Sequence, residues 1–519
     1  MGKSRTTYAI MNFSSSTVSN IANLVLTFVS RTIFIRILGE TYLGVNGLFT
    51  NLLGLLSLAE LGVGSAISFS LYKPIAEKDI AKVQAIINFY RTAYRVIAAV
   101  VVAVGLLIMP LLKHIVKGAE GVQNIYLIYC IYLTNTVSSY LISYKSTILA
   151  ADQRNYLLTN INTIVKVITT AAQITILLLF RNYLLYLFTE AIFLFVSKIY
   201  INHFVNVKYP YLKGKNSEKL SQQEIKVIFT KIKALLFHKV GEVTINQTDN
   251  IITSAFINVT TVGLVSNFVM ITKAVDTFVM AFFSSAVAGL GNLIATENND
   301  TRYRIAKNYD YLGFLFYGWS AIVLYFCLMP FVSIWLGERF LIDQATVALL
   351  CINYYMTGAR VPLGNIRSAA GIYEPDKWVP LAQSLTNIVV SVIGAQYMGV
   401  KGVYIGTMVS SLFPTIVRPI IVYKHVFDRS SGSYFRTYIW RVVFLFCNVA
   451  VIELILRWLS VSNPFVQLIT AFGISAVIPA VSMLLFTAKT EEFAYVKGLT
   501  KSAISSLMRR IKKEDNDGE

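Results

Sequence analysis

Ionisable side chains lie within apolar stretches of this sequence, and the first of them is an arginine. Arg31 stands in NLVLTFVSRTIFIRILG, residues 23–39, a stretch apolar enough to span a membrane. An arginine at the centre of a membrane helix costs about 3 kcal/mol on insertion scales. Spacings of three and four residues put it on one helical face with Ser16, Asn20, Asn23 and Thr27. This pattern predicts that the polar face lines a cavity or a polar seam.

Other predicted spans carry similar polar faces, which give the remaining candidate site residues. Asp249 and Glu242 share a face with His238, Asn246 and Thr253, and Lys166 shares one with Thr159, Asn162, Thr169 and Gln173. The candidate substrate-binding residues are Arg31, Asn23, Thr27, Lys166, Lys273, Arg360 and Arg367. The candidates for ion coupling are Asp249, Glu242 and Asp276. Hydrogen bonding to a neighbouring helix is an alternative role for the Asn and Thr members, and Lys273 and Asp276 could simply neutralise each other.

The elements that must position these residues are membrane helices. The chain has 519 residues, of which 55% are apolar and 14% charged, whereas about 25% of residues are charged in an average soluble domain. Apolar stretches of about 20 residues recur along the whole chain, which predicts an all-α polytopic membrane protein with fourteen spans. In order, spans 1 to 14 are residues 17–38, 43–71, 93–112, 123–144, 156–180, 182–203, 234–257, 262–294, 309–336, 345–366, 378–397, 402–424, 435–459 and 464–487.

The net charge of +19 indicates orientation in a membrane, and it does not indicate nucleic-acid binding. With basic residues near span ends assigned to the adjacent loop, 35 Lys and Arg fall in alternate segments that include both termini, and 7 fall in the others. The positive-inside rule therefore places both termini in the cytoplasm. Contact with anionic headgroups of membrane lipid accounts for much of the basic character.

The two halves of the chain resemble each other at a fixed offset. Gly44 matches Gly263 at 219 residues, the Ala150-Ala151 pair matches Ala369-Ala370 at the same offset, and Lys198 matches Arg418 at 220. We therefore predict two pseudo-symmetric six-helix lobes related by a parallel repeat, followed by two C-terminal helices. The predicted regions are an N-lobe at 1–205, a cytoplasmic linker at 206–233, a C-lobe at 234–428, helices 13 and 14 at 429–488, and a basic cytoplasmic tail at 489–519.

Motifs for enzymatic chemistry are absent from the sequence. It contains no GxxxxGK[ST] phosphate cradle, no HExxH and no clustered metal ligands, so we expect no cofactor and no metal. The predicted external loops are about ten residues or shorter, too short for a catalytic domain outside the membrane. A membrane polymerase or glycosyltransferase, the enzymatic alternative, is therefore disfavoured.

Three segments together resemble a known family. They are SRTIFIRILGETYLGVNGLFTNLLGLLSLAELGVGSAI from residue 30, ILAADQRN from residue 148 and TINQTDNIITSAFINVTTVGLVSNF from residue 244. The sequence is similar to the Wzx-type polysaccharide flippases over roughly residues 10 to 490. Their superfamily, the multidrug/oligosaccharidyl-lipid/polysaccharide exporters, also holds the lipid II flippase and the multidrug and toxin extrusion transporters.

The resemblance implies a function. Two lobes would rock around a central cavity and carry a polyprenyl-diphosphate-linked oligosaccharide from the cytoplasmic to the outer leaflet of a bacterial inner membrane, for capsule, exopolysaccharide or O-antigen assembly. It implies that Arg31 is a cavity cation and that helices 13 and 14 help to hold the lipid tail. Proton or sodium coupling and a polysaccharide polymerase partner are further expectations. The alternative is a cation-coupled multidrug antiporter of the same fold, which would need cavity acids and no exposed arginine.

Overall fold

The computed structural model describes residues 5–60, 63–213, 220–459, 461 and 463–498, and these residues form helices joined by short turns, with no strand among them. The helices up to the middle of the chain are α1 Arg5–Leu56, α2 Val63–Glu77, α3 Ile80–Ile108, α4 Leu112–Ile115, α5 Ile125–Ser143, α6 Thr147–Ala151, α7 Asn155–Phe180, α8 Tyr183–Lys208 and α9 Gln222–Phe256.

The helices of the second half follow the same plan of long, apolar segments with short connections. They are α10 Val259–Ser285, α11 Val287–Thr296, α12 Asn299–Gly313, α13 Trp319–Leu336, α14 Gln344–Gly358, α15 Val361–Ala369, α16 Val379–Met398, α17 Val400–Val422, α18 Gly432–Leu459 and α19 Pro464–Thr487. Side-chain caps begin many of them. Asp79 caps α3 by accepting from Lys82 N, and Ser221 with Glu224 forms a capping box at the start of α9.

The prediction of an all-helical polytopic membrane protein is confirmed. Among the described residues, eleven helical runs are long and apolar enough to cross a membrane. The three remaining predicted spans are also helical: residues 43–71 fall on α1 and α2, 234–257 on α9, and 345–366 on α14 and α15. The last of these is interrupted because Pro362 opens α15, and proline is tolerated in the first turn of a helix but not in its interior.

A kink at Gly39 explains why the first two predicted spans share one long helix. Gly39 has φ 84° and ψ −179°, a backbone conformation that only glycine adopts without strain. The chain therefore turns within α1 without a loop, and Arg31 lies about two turns before the kink.

The chain forms two compact units, which differ in extent from the predicted lobes. Unit 1 comprises Met1–Ser266 and Asn387–Val403, and unit 2 comprises Asn267–Thr386 and Tyr404–Glu519. In unit 1, α1 packs on α7 and α9, and α5 packs on α8; in unit 2, α13 packs on α19, and α11 and α12 pack on α15. The predicted boundaries of lobes and linker stay predictions, and most of the predicted tail, from residue 499 onward, lies outside the described residues.

Positions related by the 219-residue repeat contact each other within unit 1. The hydroxyl groups of Thr41 and Thr260 are 3.1 Å apart. A Cβ on Gly44 would collide with the carbonyl oxygen of Val259, and a Cβ on Gly263 would collide with that of Glu40, the residue 219 positions before Val259. The contact is reciprocal, as at a two-fold axis, and it supports the predicted duplication. Glycine is required because the two helix backbones touch.

A buried ion pair attaches α18 to the rest of unit 2. Arg441 on α18 pairs with Asp310 on α12, and each side chain is 14% exposed. The guanidinium group also lies over the ring of Phe314, 5.0 Å from its centroid. Breaking a buried pair by removing one partner is strongly destabilising, because the other charge stays desolvated.

Gly44→Val should destabilise the crossing of α1 and α10. The added side chain would have to displace helix backbone, and overpacking of this kind costs about 1–3 kcal/mol or more. The thermal midpoint of the detergent-solubilised protein, followed by fluorescence, should fall by several degrees. Gly121→Ala is the control, because a Cβ there meets nothing within 4 Å. An unchanged midpoint for Gly44→Val would contradict the close crossing.

Arg441→Met should lower stability by about 3 kcal/mol or more, since it leaves the Asp310 carboxylate buried without its cation. The double variant Arg441→Met/Asp310→Asn should recover part of that loss, and the thermal midpoint measures both. Arg457→Met on the same helix is the control, because Arg457 is 75% exposed and its pair with Glu453 is a surface pair worth about 1 kcal/mol or less. Equal effects of the two single variants would refute the structural role of the buried pair.

Candidate functional site

Arginines of α15 and α17 converge on one buried carboxylate in unit 2. Asp376, in the turn after α15, is completely buried. Arg367, in the last turn of α15, forms an ion pair with it, and Arg418 on α17 approaches it with Nε at 3.2 Å from Oδ2. The ring of Tyr373 lies 5.5 Å from the Arg367 guanidinium. Since a desolvated carboxylate needs strong donors, Asp376 is held by these two cations.

Arg360 extends the cluster away from Asp376. It stands at the break between α14 and α15, seven residues before Arg367 and therefore about two turns away on the same face. Its guanidinium group donates to the carbonyl oxygen of Ser411 at 3.1 Å and to Thr357 Oγ1 at 3.2 Å. Both of these acceptors are neutral. Arg418 shares Asp376 with Arg367, and Arg360 lies about two turns from Arg367, so the three arginines form one group.

We call Arg360, Arg367, Arg418 and Asp376 the arginine cluster. Its three guanidinium groups and one carboxylate leave two formal positive charges, because arginine stays protonated in proteins. Glu374 lies two residues before Asp376 in the sequence, but it pairs with Lys377 at 2.5 Å and so does not change the net charge of the cluster. The cluster is therefore chemically suited to hold an anion with two charges.

An apolar pocket of about 380 Å³ adjoins the cluster within unit 2. Side chains of α13, α14, α17 and α18 line it, among them Leu412, Tyr355 and Tyr438. Tyr355 and Tyr438 stack at a centroid distance of 6.3 Å. Leu412, which lines the pocket, follows Ser411, whose carbonyl oxygen accepts the hydrogen bond from Arg360. The cluster and the pocket are therefore neighbours along α17, although the cluster's arginines do not line the pocket, and we call the two together the amphipathic site.

Arg31 is placed in unit 1, on the half-buried face of α1. It donates a hydrogen bond to the hydroxyl group of Ser266 on α10. Of its predicted partners on the same face, Asn23 donates to Ser19 at 3.2 Å, and Ser19 accepts from Thr163 on α7 at 2.7 Å. The part of this stripe near Asn23 therefore joins two helices, as the alternative role of the Asn and Thr residues allowed. Thr27 is exposed.

Glu190 lies in unit 1 at a pocket of about 350 Å³ with both polar and apolar walls, and Lys166 is exposed on the neighbouring α7. Glu190 on α8 lines this pocket, accepts from Gln173 at 3.3 Å and is attracted electrostatically by Lys166 on α7. The opposite wall includes Tyr132, whose hydroxyl group donates to Asn46 at 2.6 Å. The pocket offers one carboxylate and several neutral oxygens, which are the groups that bind hard cations.

The remaining candidates occupy separate places. Asp249 lies half-buried on α9 in unit 1, where the adjacent Thr248 donates to Asn387 at 3.1 Å. Glu242 is on the same helix, and its side chain lies outside the described residues. In unit 2, Asp276 on α10 accepts from Tyr317 at 3.2 Å and is attracted by Lys273, which is exposed. This last pair fits the self-neutralising alternative.

Three residues of these sites were missed by reasoning from the sequence. Glu190 lies within the sixth predicted span, and the spacing of polar residues assigns it to no polar face. Arg418 enters the sequence argument only as the repeat equivalent of Lys198, and Asp376 lies just outside the predicted spans, where acids are usual. The nearest sequence signal was the occurrence of Arg360, Arg367 and Arg418 toward the predicted cytoplasmic ends of the tenth and twelfth spans.

Solved structures share this fold, whereas no family model matches the chain and a comparison with curated proteins finds no match. The lipid II flippase MurJ in its inward closed conformation superposes with a TM-score of 0.59 and 12% identity, covering 91% of this chain and 98% of that chain. An inward-facing multidrug resistance MATE family transporter of the MOP superfamily gives 0.57 and 14%, covering 77% and 94%. A mutant of the Vibrio cholerae MATE transporter VcmN gives 0.54 and 12%, covering 82% and 99%.

These identities are low, so the similarity is one of fold. Each of the three structures is covered almost completely, and each is named as a transporter or a flippase. The chain therefore has the helical membrane fold that MATE transporters and the lipid II flippase MurJ share.

Proposed function

We propose that this protein is a flippase for a polyprenyl-diphosphate-linked oligosaccharide. It would take the lipid-linked repeat unit from the cytoplasmic leaflet and release it in the outer leaflet by alternating access, for capsule, exopolysaccharide or O-antigen assembly. The proposed location is the bacterial cytoplasmic membrane with both termini inside. A polysaccharide polymerase is the proposed downstream partner.

The observation that carries this proposal is the amphipathic site of unit 2. A lipid-linked diphosphate has a strongly anionic head and an apolar chain, and the site has arginines at one end and an apolar pocket at the other. A cationic drug would be repelled by the two excess positive charges of the arginine cluster. The similarity in fold to a protein named as a lipid II flippase supports the same class of cargo.

The candidate residues take different roles under this proposal. Arg31, Arg360 and Arg367 bind phosphate oxygens, for which the planar guanidinium fork is well shaped. Lys166 and Lys273 add positive charge, and Asn23 and Thr27 add neutral hydrogen bonds to the sugar chain or to α7. Asp249, Glu242 and Asp276 are proposed to couple the cycle to protons or sodium, because the sequence has no ATP-binding motif.

A cation-coupled multidrug antiporter is the second candidate function. The pocket of unit 1 that Glu190 lines favours this function. A carboxylate in a pocket beside Gln173 and neutral oxygens could bind a coupling cation in either kind of transporter. The two functions differ in cargo, so one reconstitution separates them. Proteoliposomes should translocate a fluorescent undecaprenyl-diphosphate-linked sugar, read by its accessibility to a membrane-impermeant quencher. Accumulation of ethidium without lipid translocation would favour the antiporter.

Arg31→Ala should abolish this translocation, and Arg31→Lys should keep part of it. Lysine retains the positive charge but lacks the planar pair of N–H donors of the guanidinium group. A hydrogen bond to a charged group is worth about 1.5–3 kcal/mol, so its loss should lower the rate about tenfold or more. The initial rate of quenching in proteoliposomes with matched protein content measures the effect. Arg457→Ala, on the exposed face of α18, is the matched control. Wild-type rates with Arg31→Ala would remove Arg31 from the binding site.

Asp249→Asn should change how translocation responds to an imposed ion gradient. The amide keeps the shape of the side chain but neither titrates nor binds a cation strongly, so the stimulation by a proton or sodium gradient should shrink. Translocation is measured with each gradient imposed separately and with none. Glu453→Gln, at a surface pair, is the control. A gradient response equal to that of the wild type would exclude Asp249 from coupling, and the same series with Glu190→Gln tests the pocket of unit 1.

A further inference from the structure

The arginine cluster holds an internal anion in a place where an external one would fit. Asp376 is completely buried and lies against Arg367 and Arg418, while the acceptors of Arg360 among the described residues are the neutral oxygens of Ser411 and Thr357. In addition, Nε of Arg367 is buried with no hydrogen-bond acceptor among the described residues. One carboxylate therefore does not satisfy the donors of three guanidinium groups, although buried donors are almost always satisfied.

From this geometry we propose that the arginine cluster of unit 2 is a selective site for a lipid diphosphate, in which Asp376 is the resident counter-ion that the cargo's phosphates displace. The inference rests on the proposed function for its cargo, and it assigns Arg418 and Asp376 to a binding site for the first time. No covalent step is involved, since the exchange is between two anions on the same cations.

Charge decides which anion the site selects. The cluster has two positive charges in excess, and a diphosphate that links a lipid to a sugar carries about two negative charges, one on each phosphate. A phosphodiester such as an ordinary phospholipid headgroup carries about one and leaves the cluster half neutralised. In a partly desolvated site an uncompensated charge is costly, so the lipid diphosphate is preferred over a phosphodiester.

The spacing of the cations supports the same selection. Arg367 and Arg360 are about two helical turns apart on one face, and Arg418 on α17 contacts the same carboxylate as Arg367. Two linked phosphates can engage separate guanidinium groups along this row, whereas a single phosphate reaches fewer of them. The apolar pocket begins at Leu412, next to the Ser411 carbonyl oxygen that accepts from Arg360, so a lipid chain would leave the site at that end.

Asp376 determines how tightly the arginine cluster binds an external anion. Two arginines without any anion would repel each other within the fold, and the carboxylate prevents this. Because the cargo must displace it, Asp376 also weakens binding and allows release. Removing its charge should therefore tighten anion binding, whereas removing an arginine should weaken it.

The test measures binding to the purified full-length protein in nanodiscs of phosphatidylcholine. The probes are farnesyl diphosphate, phosphatidylglycerol and inorganic diphosphate. Farnesyl diphosphate should bind about tenfold or more tightly than each of the others. Arg360→Gln and Arg418→Gln should each weaken its binding by about tenfold or more, and Asp376→Asn should strengthen it. Arg457→Gln should leave it unchanged.

Several outcomes would overturn the proposal. Equal affinity for phosphatidylglycerol would make the cluster a general headgroup site, and equal affinity for inorganic diphosphate would make it a free-anion site. Unchanged binding in both arginine variants would remove the cluster from binding altogether. If Asp376→Asn does not yield monodisperse protein, the two arginine variants and the probe series decide.

Binding and translocation fail independently in this design. Loss of probe selectivity with intact flipping of the lipid-linked sugar would refute the diphosphate site and leave the proposed function standing. Selective, arginine-dependent binding without any flipping would refute the function and leave the site standing.

Discussion

A charged group among membrane helices must find a partner inside the protein, because lipid provides none. The described charges follow this constraint in distinct ways. Arg441 and Asp310 neutralise each other and attach α18. Glu190 accepts a hydrogen bond from the amide of Gln173 and is attracted by a lysine, whereas Asp376 pairs with two arginines. Only in the last case do cations outnumber the acid at one place. The excess of positive charge at the arginine cluster supports the proposed anion site.

The duplicated scaffold determines where these charges can be placed. Gly44 and Gly263 touch at equivalent positions, and Thr41 and Thr260 bond across the same crossing. Such a contact brings two helix backbones together and leaves no room for side chains. Polar and charged side chains therefore have to lie on other faces of these helices.

Much of the fold was predictable from the sequence because membrane helices are specified locally. Runs of apolar residues gave all fourteen helical segments, and the 219-residue offset gave the equivalence of Gly44 and Gly263. Arg360 and Arg367 were identified because an arginine in an apolar run is conspicuous. Asp376 was not, since it lies 42 residues from Arg418 in a loop that would normally face water. Its burial depends on how α15 and α17 pack, which periodicity cannot report. The kink at Gly39 was likewise not predictable from the sequence. Glycine is common in membrane helices, and the kink is evident only from the φ angle of Gly39 in the structure.

The repeat also shows how one scaffold acquires two chemistries. Lys198 and Arg418 are equivalent, but Lys198 donates to the neutral oxygens of Asn135 and Ser138, at 2.9 Å each, whereas Arg418 faces a carboxylate. An ammonium group is a compact point charge that neutral oxygens can solvate, while a guanidinium group offers a planar fork that matches carboxylate and phosphate. The same position therefore joins helices in unit 1 and can bind an anion in unit 2. The duplication places a basic residue at this position in both units. Whether that residue is lysine or arginine determines whether it joins helices or can bind an anion.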